Sequence, residues 1–168
     1  SGDATMADDG TAADVVSEAG FLQILGGQYR NEGYDRFSPR HRVWYSFLPA
    51  QFGRKNKPLI VIFNGGPGSG TSPLLFSFNT GPYTIDPQVT VNIAYNPNSW
   101  TQLGNLLYID APATGFSYPL ADDDGTQRDI GIDMDRDAGD VLRIVLRFLE
   151  RHPALLKNRV VIAGESYG

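Results

Sequence analysis

Cysteine is absent from this chain of 168 residues, and histidine occurs only twice. The absence of cysteine excludes disulfide bonds, thiolate catalysis and cysteine-ligated metal sites. The two histidines, His41 and His152, are far apart in the chain, and no helical spacing pairs them. A zinc site with the usual histidine spacing is therefore not expected, and we predict neither a metal ion nor a cofactor.

A surplus of basic residues and a long apolar run are also missing. The formal net charge is -5, from 19 acidic and 14 basic residues, so nothing in the charge balance favours binding to nucleic acid or to an anionic membrane. No apolar run approaches the roughly 20 residues of a membrane-spanning helix, and no basic-then-apolar signal peptide opens the chain. We expect no nucleic-acid partner and no membrane partner.

The N-terminal segment differs from the rest of the chain. Residues 1–17 are small, acidic and without periodicity, which predicts a flexible leader followed by one domain over residues 18–168. Residues 21–29 and 42–48 are rich in aromatic and β-branched side chains and predict two antiparallel strands. The polar residues between them, 31–40, are predicted to form a turn-rich connection.

Three continuous apolar runs, at residues 59–63, 105–109 and 159–163, predict central parallel strands that are buried on both faces. One helix is predicted over residues 135–151, before Pro153. Its predicted apolar stripe contains Ala138, Val141, Leu142, Val145 and Leu149. These elements predict an α/β fold with a mostly parallel central sheet, flanking helices and an antiparallel N-terminal strand pair.

The last predicted strand runs directly into Gly164-Glu165-Ser166-Tyr167-Gly168, the Gly-x-Ser-x-Gly pattern of a nucleophile elbow. Glycine is required on both sides because the strand must turn sharply into a helix while the serine takes a strained backbone conformation. The turn would raise the serine oxygen above the carboxyl edge of the sheet. The bare pattern also fits an ordinary Gly/Ser turn after a strand.

A glycine-rich loop, Asn-Gly-Gly-Pro-Gly-Ser-Gly at residues 64–70, follows the first apolar run. A dinucleotide fingerprint fails because Thr71 or Pro73 occupies the place of its third glycine. A phosphate loop fails because Thr71 stands where the lysine is needed. A third interpretation is the oxyanion loop of a hydrolase, whose second N–H comes from the residue after the nucleophile, here Tyr167. Only this interpretation uses both motifs together.

These motifs resemble those of the serine carboxypeptidases, and the resemblance covers most of residues 21–168. It rests on motifs in consistent order and spacing: the glycine-rich loop, Gly-Pro at 81–82, Asn-Pro-Asn-Ser-Trp at 96–100, Asn-Leu-Leu-Tyr-Ile-Asp-Ala-Pro at 105–112, Gly-Phe-Ser-Tyr at 115–118 and Gly-Glu-Ser-Tyr-Gly at 164–168. The resemblance implies that residues 18–168 form the N-terminal portion of an α/β-hydrolase domain.

The resemblance also implies roles for individual residues in catalysis. Ser166 would be the acylated nucleophile, and the N–H groups of Gly66 and Tyr167 would form the oxyanion hole. The catalytic Asp and His of the family lie downstream of the serine, in a segment or second chain outside these residues. His41 and His152 are therefore predicted to be structural.

The same resemblance implies a site for the terminal carboxylate of a peptide substrate. Asn64 and Glu165 would bind this carboxylate, with Gly65 as a further candidate. Asn79 stands two positions before the Gly-Pro pair, where the family commonly has a glutamate, so we expect Asn79 at the same site and a weaker preference for acid pH.

The function implied is a hydrolase that releases C-terminal residues from peptides through an acyl-enzyme, in a secreted, periplasmic or lumenal location. Two alternatives stay open. One is an esterase or acyltransferase on the same scaffold, because acyl-enzyme chemistry is shared and only the acceptor differs. The other is a catalytically inactive binding module.

Overall fold

A computed structural model of the chain describes residues 17–31, 34–77, 79–86, 92–128 and 133–168. The predicted leader lies outside the described residues except for Ser17. Within these ranges the strands and α-helices are, in chain order, β1 (Glu18–Ile24), β2 (Gly27–Asn31), β3 (Tyr34–Ser38), β4 (His41–Leu48), β5 (Leu59–Phe63), α1 (Leu74–Ser77), β6 (Tyr83–Asp86), β7 (Asn92–Tyr95), β8 (Asn105–Ile109), β9 (Tyr118–Pro119), α2 (Met134–Arg151) and β10 (Val160–Gly164).

The main sheet has six strands in the order β1-β4-β8-β5-β10, and the short strand β9 pairs with β4. Strands β8, β5 and β10 are parallel neighbours, whereas β1, β4 and β9 are joined to the sheet by antiparallel pairing. The predicted fold class, with parallel central strands and an antiparallel N-terminal pair, is confirmed. None of the described helices has the length and apolar character needed to cross a membrane.

The core lies on both faces of strands β5 and β8, because successive side chains of a strand point to opposite faces. Side chains such as Val61 and Leu107 pack with α2 on one face, and Ile62 and Tyr108 belong to a second cluster on the other face. The prediction that both faces are buried is confirmed for these two strands.

Strand β10 differs from that prediction, because it is the edge strand of the sheet among the described residues. Its side chains Val160, Val161 and Ile162 are 41%, 37% and 63% exposed. The apolar run therefore predicted the strand correctly. Its side chains, which were predicted to be buried, are exposed among the described residues.

The N-terminal strands also differ in extent from the prediction. Strand β1 ends at Ile24, and the chain turns at Gly26 and Gly27, which have φ angles of 76° and 130°. Residues 27–31 and 34–38 then form the separate antiparallel pair β2 and β3. The sequence predicted one long strand and a polar connection here, because the polar residues after Tyr29 do not show the pattern of a strand pair.

Helix α2 begins after Asp133, whose side chain accepts a hydrogen bond from the Arg136 N–H at 3.1 Å, and it ends just before His152 and Pro153. The helix is confirmed, and its predicted apolar stripe is partly right, because Val145 is buried and Leu149 packs against the core, whereas Ala138 is exposed. Ile144 and Phe148 are fully buried, whereas Leu142 is 58% exposed. The buried face of the helix also includes the polar residues Arg136 and Asp140.

Asp140 is the fully buried polar residue on this face of the helix. Its carboxylate accepts hydrogen bonds from Ser38 Oγ at 2.8 and 2.9 Å and from Arg143 Nη1 at 2.8 Å. His41 Nε2 lies 3.4 Å from the same carboxylate. A buried carboxylate is tolerated when its oxygens are hydrogen-bonded. Ser38 and His41 are distant from Asp140 in the sequence, whereas Arg143 lies three residues away on the same helix.

Candidate active site

The two glycine-containing motifs follow neighbouring parallel strands and meet at one edge of the sheet. Strand β5 ends at Phe63 and β10 ends at Gly164, and these two residues are register partners. The Glu165 N–H extends this connection by donating to the Phe63 carbonyl oxygen at 3.0 Å. Because the carboxyl ends of parallel strands lie on the same side, the glycine-rich loop and Ser166 emerge together.

The segment that contains Ser166 is a tight turn. Ser166 has a φ angle of 56°, in the left-handed region, which is strained for a residue with a side chain. The Gly168 N–H donates to the Glu165 carbonyl oxygen at 2.8 Å and closes the turn. The serine side chain is exposed and forms no hydrogen bond within the described residues.

The glycine-rich loop packs directly against this turn through Gly65. A Cβ atom added at Gly65 would lie 2.3 Å from the Tyr167 backbone nitrogen and 2.9 Å from Ser166 Cβ. No side chain fits in that space, so the loop and the serine turn are in contact backbone to backbone. The structure thus brings Gly65 next to two of the residues predicted for the catalytic site.

The loop is closed by the side chain of Asn64. Asn64 Nδ2 donates to the Gly70 carbonyl oxygen at 2.9 Å, and Asn64 Oδ1 accepts from the Gly65 N–H at 2.8 Å. The Asn64 N–H donates to Thr71 Oγ1 at 3.0 Å. The amide of Asn64 therefore already has two partners within the loop, and one Nδ2 hydrogen is left for any further acceptor.

The Gly66 and Tyr167 N–H groups, which were predicted as oxyanion donors, are among the backbone N–H groups of these segments that have no partner within the described residues. Neither the Gly66 N–H nor the Tyr167 N–H donates a hydrogen bond to any residue that the structure describes. Gly66 is exposed and has a φ angle of 118°, while Tyr167 is 49% exposed. Unpaired N–H groups beside an exposed hydroxyl are able to bind an anionic oxygen.

Asn79 lies in a separate loop whose backbone is held by the side chain of Asn96. Its φ angle is 54°, and its carbonyl oxygen accepts a hydrogen bond from Asn96 Nδ2 at 2.5 Å. The same Asn96 amide donates to the Gly81 carbonyl oxygen at 2.8 Å. Among the described residues, the Asn79 side chain forms no hydrogen bond with Glu165 or Asn64, so no direct contact joins the predicted carboxylate ligands.

A buried tyrosine supports this second loop. Tyr108 is fully buried, and its hydroxyl lies 2.8 Å from Thr80 Oγ1, which also donates to the Leu74 carbonyl oxygen at 2.9 Å. Burial raises the pKa of Tyr108 to about 12. The tyrosine therefore stays neutral at physiological pH and connects strand β8 to the loop.

Asp110 is a residue at this edge that lies within the motif at 105–112 but was given no role from the sequence. It follows strand β8 directly and is fully buried. Its two carboxylate oxygens accept hydrogen bonds from the Ser72 N–H at 2.7 Å and the Phe116 N–H at 2.8 Å. Two sequence signals could have pointed to it: its place in that motif and its position immediately after a buried strand.

Both histidines lie against helix α2 and away from the serine turn. His41 is fully buried beside Asp140. His152 Nδ1 lies 2.7 Å from the Phe148 carbonyl oxygen, and its Nε2 lies 3.0 Å from Glu18 Oε1. Neither side chain forms a contact with Ser166 among the interactions of the described residues.

Comparison with known proteins identifies the family. The model of the serine carboxypeptidase family matches residues 27–168. The chain is 32% identical over 155 residues to serine carboxypeptidase 3 of Oryza sativa subsp. japonica, which covers 90% of this chain and 29% of that protein. It is 33% identical over 158 residues to serine carboxypeptidase S10 family member 1 of Dictyostelium discoideum, covering 92% of this chain and 34% of that protein.

A solved structure supports the same assignment. The crystal structure of Kex1(delta)p, a prohormone-processing carboxypeptidase from Saccharomyces cerevisiae, superposes with a TM-score of 0.65 at 25% identity, covering 90% of this chain and 31% of that one. The chain spans about a third or less of the length of these relatives. The fold is that of the N-terminal portion of an α/β-hydrolase, and the chain belongs to the serine carboxypeptidase family.

Proposed function

We propose that Ser166 is the nucleophile of a serine-type carboxypeptidase that releases C-terminal residues from peptides. Ser166 Oγ attacks the carbonyl carbon of the last peptide bond and transfers its proton to a histidine base. The C–N bond then breaks, the leaving amine takes that proton, and water hydrolyses the acyl-serine ester. The chain itself supplies the nucleophile and the oxyanion donors.

The observation that carries this proposal is the backbone contact between the glycine-rich loop and the serine turn. Gly65 lies against Tyr167 and Ser166 so closely that no side chain fits between them. The Gly66 and Tyr167 N–H groups, which have no partner among the described residues, belong to the two segments in contact. An oxyanion that forms beside Ser166 would receive both donors, and each such donor typically stabilises the transition state by about 3–4 kcal/mol.

Recognition of the substrate's terminal carboxylate is assigned to Asn64 and Glu165, with Gly65 and Asn79 as the remaining candidates. Asn64 Nδ2 keeps one hydrogen for a substrate carboxylate, while the remaining groups of the amide hold the loop closed. The Gly65 N–H already bonds to Asn64 and is the weakest of the four. Glu165 is exposed next to the nucleophile and must share a proton with an anionic substrate to bind it.

The catalytic Asp and His are proposed to come from a downstream segment or a second chain. Neither His41 nor His152 is proposed as the base, since neither forms a contact with Ser166 among the interactions of the described residues. The exposed apolar side chains of β10, Val160 and Ile162, and of α2, Leu142, form surface that such a segment would cover. We refer to this chain together with that segment as the completed enzyme, and we place it in a secreted, periplasmic or lumenal compartment on family membership alone.

The proposal is tested by comparing two peptides that differ only at the C-terminus, one with a free carboxylate and one with an amide. The completed enzyme should release the last residue from the free peptide and cleave the amide far more slowly, because the amide lacks the charge that the site recognises. Equal rates on both peptides would contradict carboxypeptidase activity. Ser166→Ala is the control for background hydrolysis.

An esterase or acyltransferase on the same scaffold is the second candidate. The observation that favours it is the internal pairing of Asn64, which leaves only one hydrogen for a substrate carboxylate. In this case an activated ester would acylate Ser166, and an alcohol or amine acceptor would accelerate release of the acyl group. Acceptor-dependent product, together with no preference for the free peptide carboxylate, would favour this candidate over the first.

A further inference from the structure

Asp110 is an acidic residue that has no role in the proposed reaction, and it is fully buried. Its carboxylate oxygens accept from the Ser72 and Phe116 N–H groups at 2.7 and 2.8 Å. Among the described residues no cation forms an ion pair with it. A buried carboxylate without a cation is costly unless its oxygens are hydrogen-bonded, and these two backbone donors supply one hydrogen bond to each oxygen.

The backbone of Asp110 is fixed as firmly as its side chain. Its N–H donates to the Trp44 carbonyl oxygen at 3.1 Å, and its own carbonyl oxygen accepts from Ser117 Oγ at 2.8 Å. Ser117 Oγ in turn accepts from the Trp44 N–H at 2.9 Å. The carboxylate therefore extends from a rigid point at the end of strand β8.

The two donors belong to different loops at the carboxyl edge of the sheet. Ser72 lies at the end of the glycine-rich loop, next to Gly70 and Thr71, which bond to Asn64. Phe116 belongs to the loop after β8. The carboxylate thus connects the loop that carries Gly66 to a neighbouring loop through one rigid residue.

No side chain lies between these loops to absorb a displacement. A Cβ atom at Gly115 would lie 2.1 Å from Asp110 Oδ2, and one at Gly70 would lie 2.7 Å from Gly115 Cα. A shift of the carboxylate is therefore passed to the backbone of the glycine-rich loop. At its other end this loop touches the serine turn through Gly65.

We propose that Asp110 is a positioning residue for acyl transfer, which holds the glycine-rich loop where the Gly66 N–H faces the oxyanion formed at Ser166. This inference rests on the proposed function of Ser166. Asparagine has the shape of aspartate, but one of its two side-chain ends is an acceptor oxygen and the other a donor NH2 group. In Asp110→Asn this NH2 group would face one of the two backbone N–H donors, and the repulsion would displace that loop.

The matched control is Asp140→Asn. Asp140 is also fully buried and also accepts hydrogen bonds on both oxygens, but its partners are Ser38 and Arg143, against α2. Both substitutions remove a buried carboxylate, and both should lower the thermal midpoint. Only Asp110→Asn should alter the geometry of the oxyanion loop.

The experiment measures kcat and KM on the free-carboxylate peptide and the rate of labelling by a fluorophosphonate, in the completed enzyme. Wild-type labelling at Ser166 tests the proposed function separately, and its absence would refute that function and this inference with it. With labelling established, we expect Asp110→Asn to lower kcat and the labelling rate about ten- to a hundredfold. KM should stay within about twofold, and Asp140→Asn should keep both rates near wild type.

Wild-type kcat in Asp110→Asn, or a loss confined to KM, would overturn the assignment while leaving Ser166 as the nucleophile. If Asp110→Asn fails to fold, Gly70→Ala takes its place, because it separates the same loops and leaves the carboxylate intact. It should produce the same selective loss of kcat. Wild-type kcat in a folded Gly70→Ala variant would also overturn the inference.

Discussion

Replacement of Gly65 by alanine should separate the glycine-rich loop from the serine turn. The added Cβ would lie 2.3 Å from the Tyr167 backbone nitrogen and 2.7 Å from the Glu165 carbonyl oxygen. Both neighbours are backbone atoms, so no side chain can rotate out of the way. Gly65 has no left-handed φ angle, and the effect of the substitution is therefore steric rather than conformational.

The size of the effect follows from the distance that the atoms must move. An ordinary contact of a Cβ atom begins near 3.4 Å, so the Cβ and the Tyr167 nitrogen must separate by roughly 1 Å, the scale at which misplacement near a reaction centre can cost about a hundredfold in rate. We expect kcat to fall by about that factor. Overpacking of this kind also costs about 1–3 kcal/mol of stability.

The assay is the rate of fluorophosphonate labelling, compared with the thermal midpoint of the same samples of the completed enzyme. The control is Gly20→Ala in strand β1, where the added Cβ meets only Tyr45 at ordinary distances of 3.7 to 3.9 Å. This control should label at the wild-type rate. If Gly65→Ala also labels at that rate, the loop is not pressed against Ser166 and the proposed oxyanion geometry is wrong.

Three further outcomes are expected. Burial raises the pKa of Tyr108 from 10.0 to about 12, so between these pH values the folded protein keeps a proton that the unfolded chain loses. The free energy of unfolding should therefore fall as the pH rises from 10.0 to about 12. Tyr108→Phe should reduce that fall in denaturant titrations. Phe148→Ala should lower the free energy of unfolding by about 3–5 kcal/mol, whereas Leu25→Ala, at a 59% exposed position, should change it by under about 0.5 kcal/mol. Asn79→Glu should shift peptide release toward acid pH in a rate profile, because two carboxylates that face a third need a proton; an unchanged profile would place Asn79 outside the carboxylate site.

Much of the sheet could be predicted from the sequence, because apolar runs record burial directly. The runs that became β5 and β8 are buried on both faces, and the two motifs at the strand ends lie side by side because parallel neighbours end at the same edge. The burial of β10 could not be predicted from its composition, since burial depends on what packs against a strand and not on the strand alone.

The missed features all depend on contacts between distant residues. The buried face of α2 was predicted only in part, because Asp140 is buried with a hydrogen bond from Ser38, which is distant in the sequence. No local sequence pattern marks a buried carboxylate whose hydrogen bonds are satisfied. The supporting contacts of Asp110 and of Asn96 were missed for the same reason. The roles of Ser166, Gly66 and Tyr167 remain predictions from motif and family, which the geometry supports without testing the chemistry.

The most direct test of the central proposal is the identity of the residue that becomes acylated. The completed enzyme is treated with a fluorophosphonate, digested and analysed by mass spectrometry. The adduct should lie on the peptide that contains Ser166, and both adduct and peptidase activity should vanish in Ser166→Ala. An adduct on another serine, such as Ser69 of the neighbouring loop, or full peptidase activity in Ser166→Ala, would contradict the account.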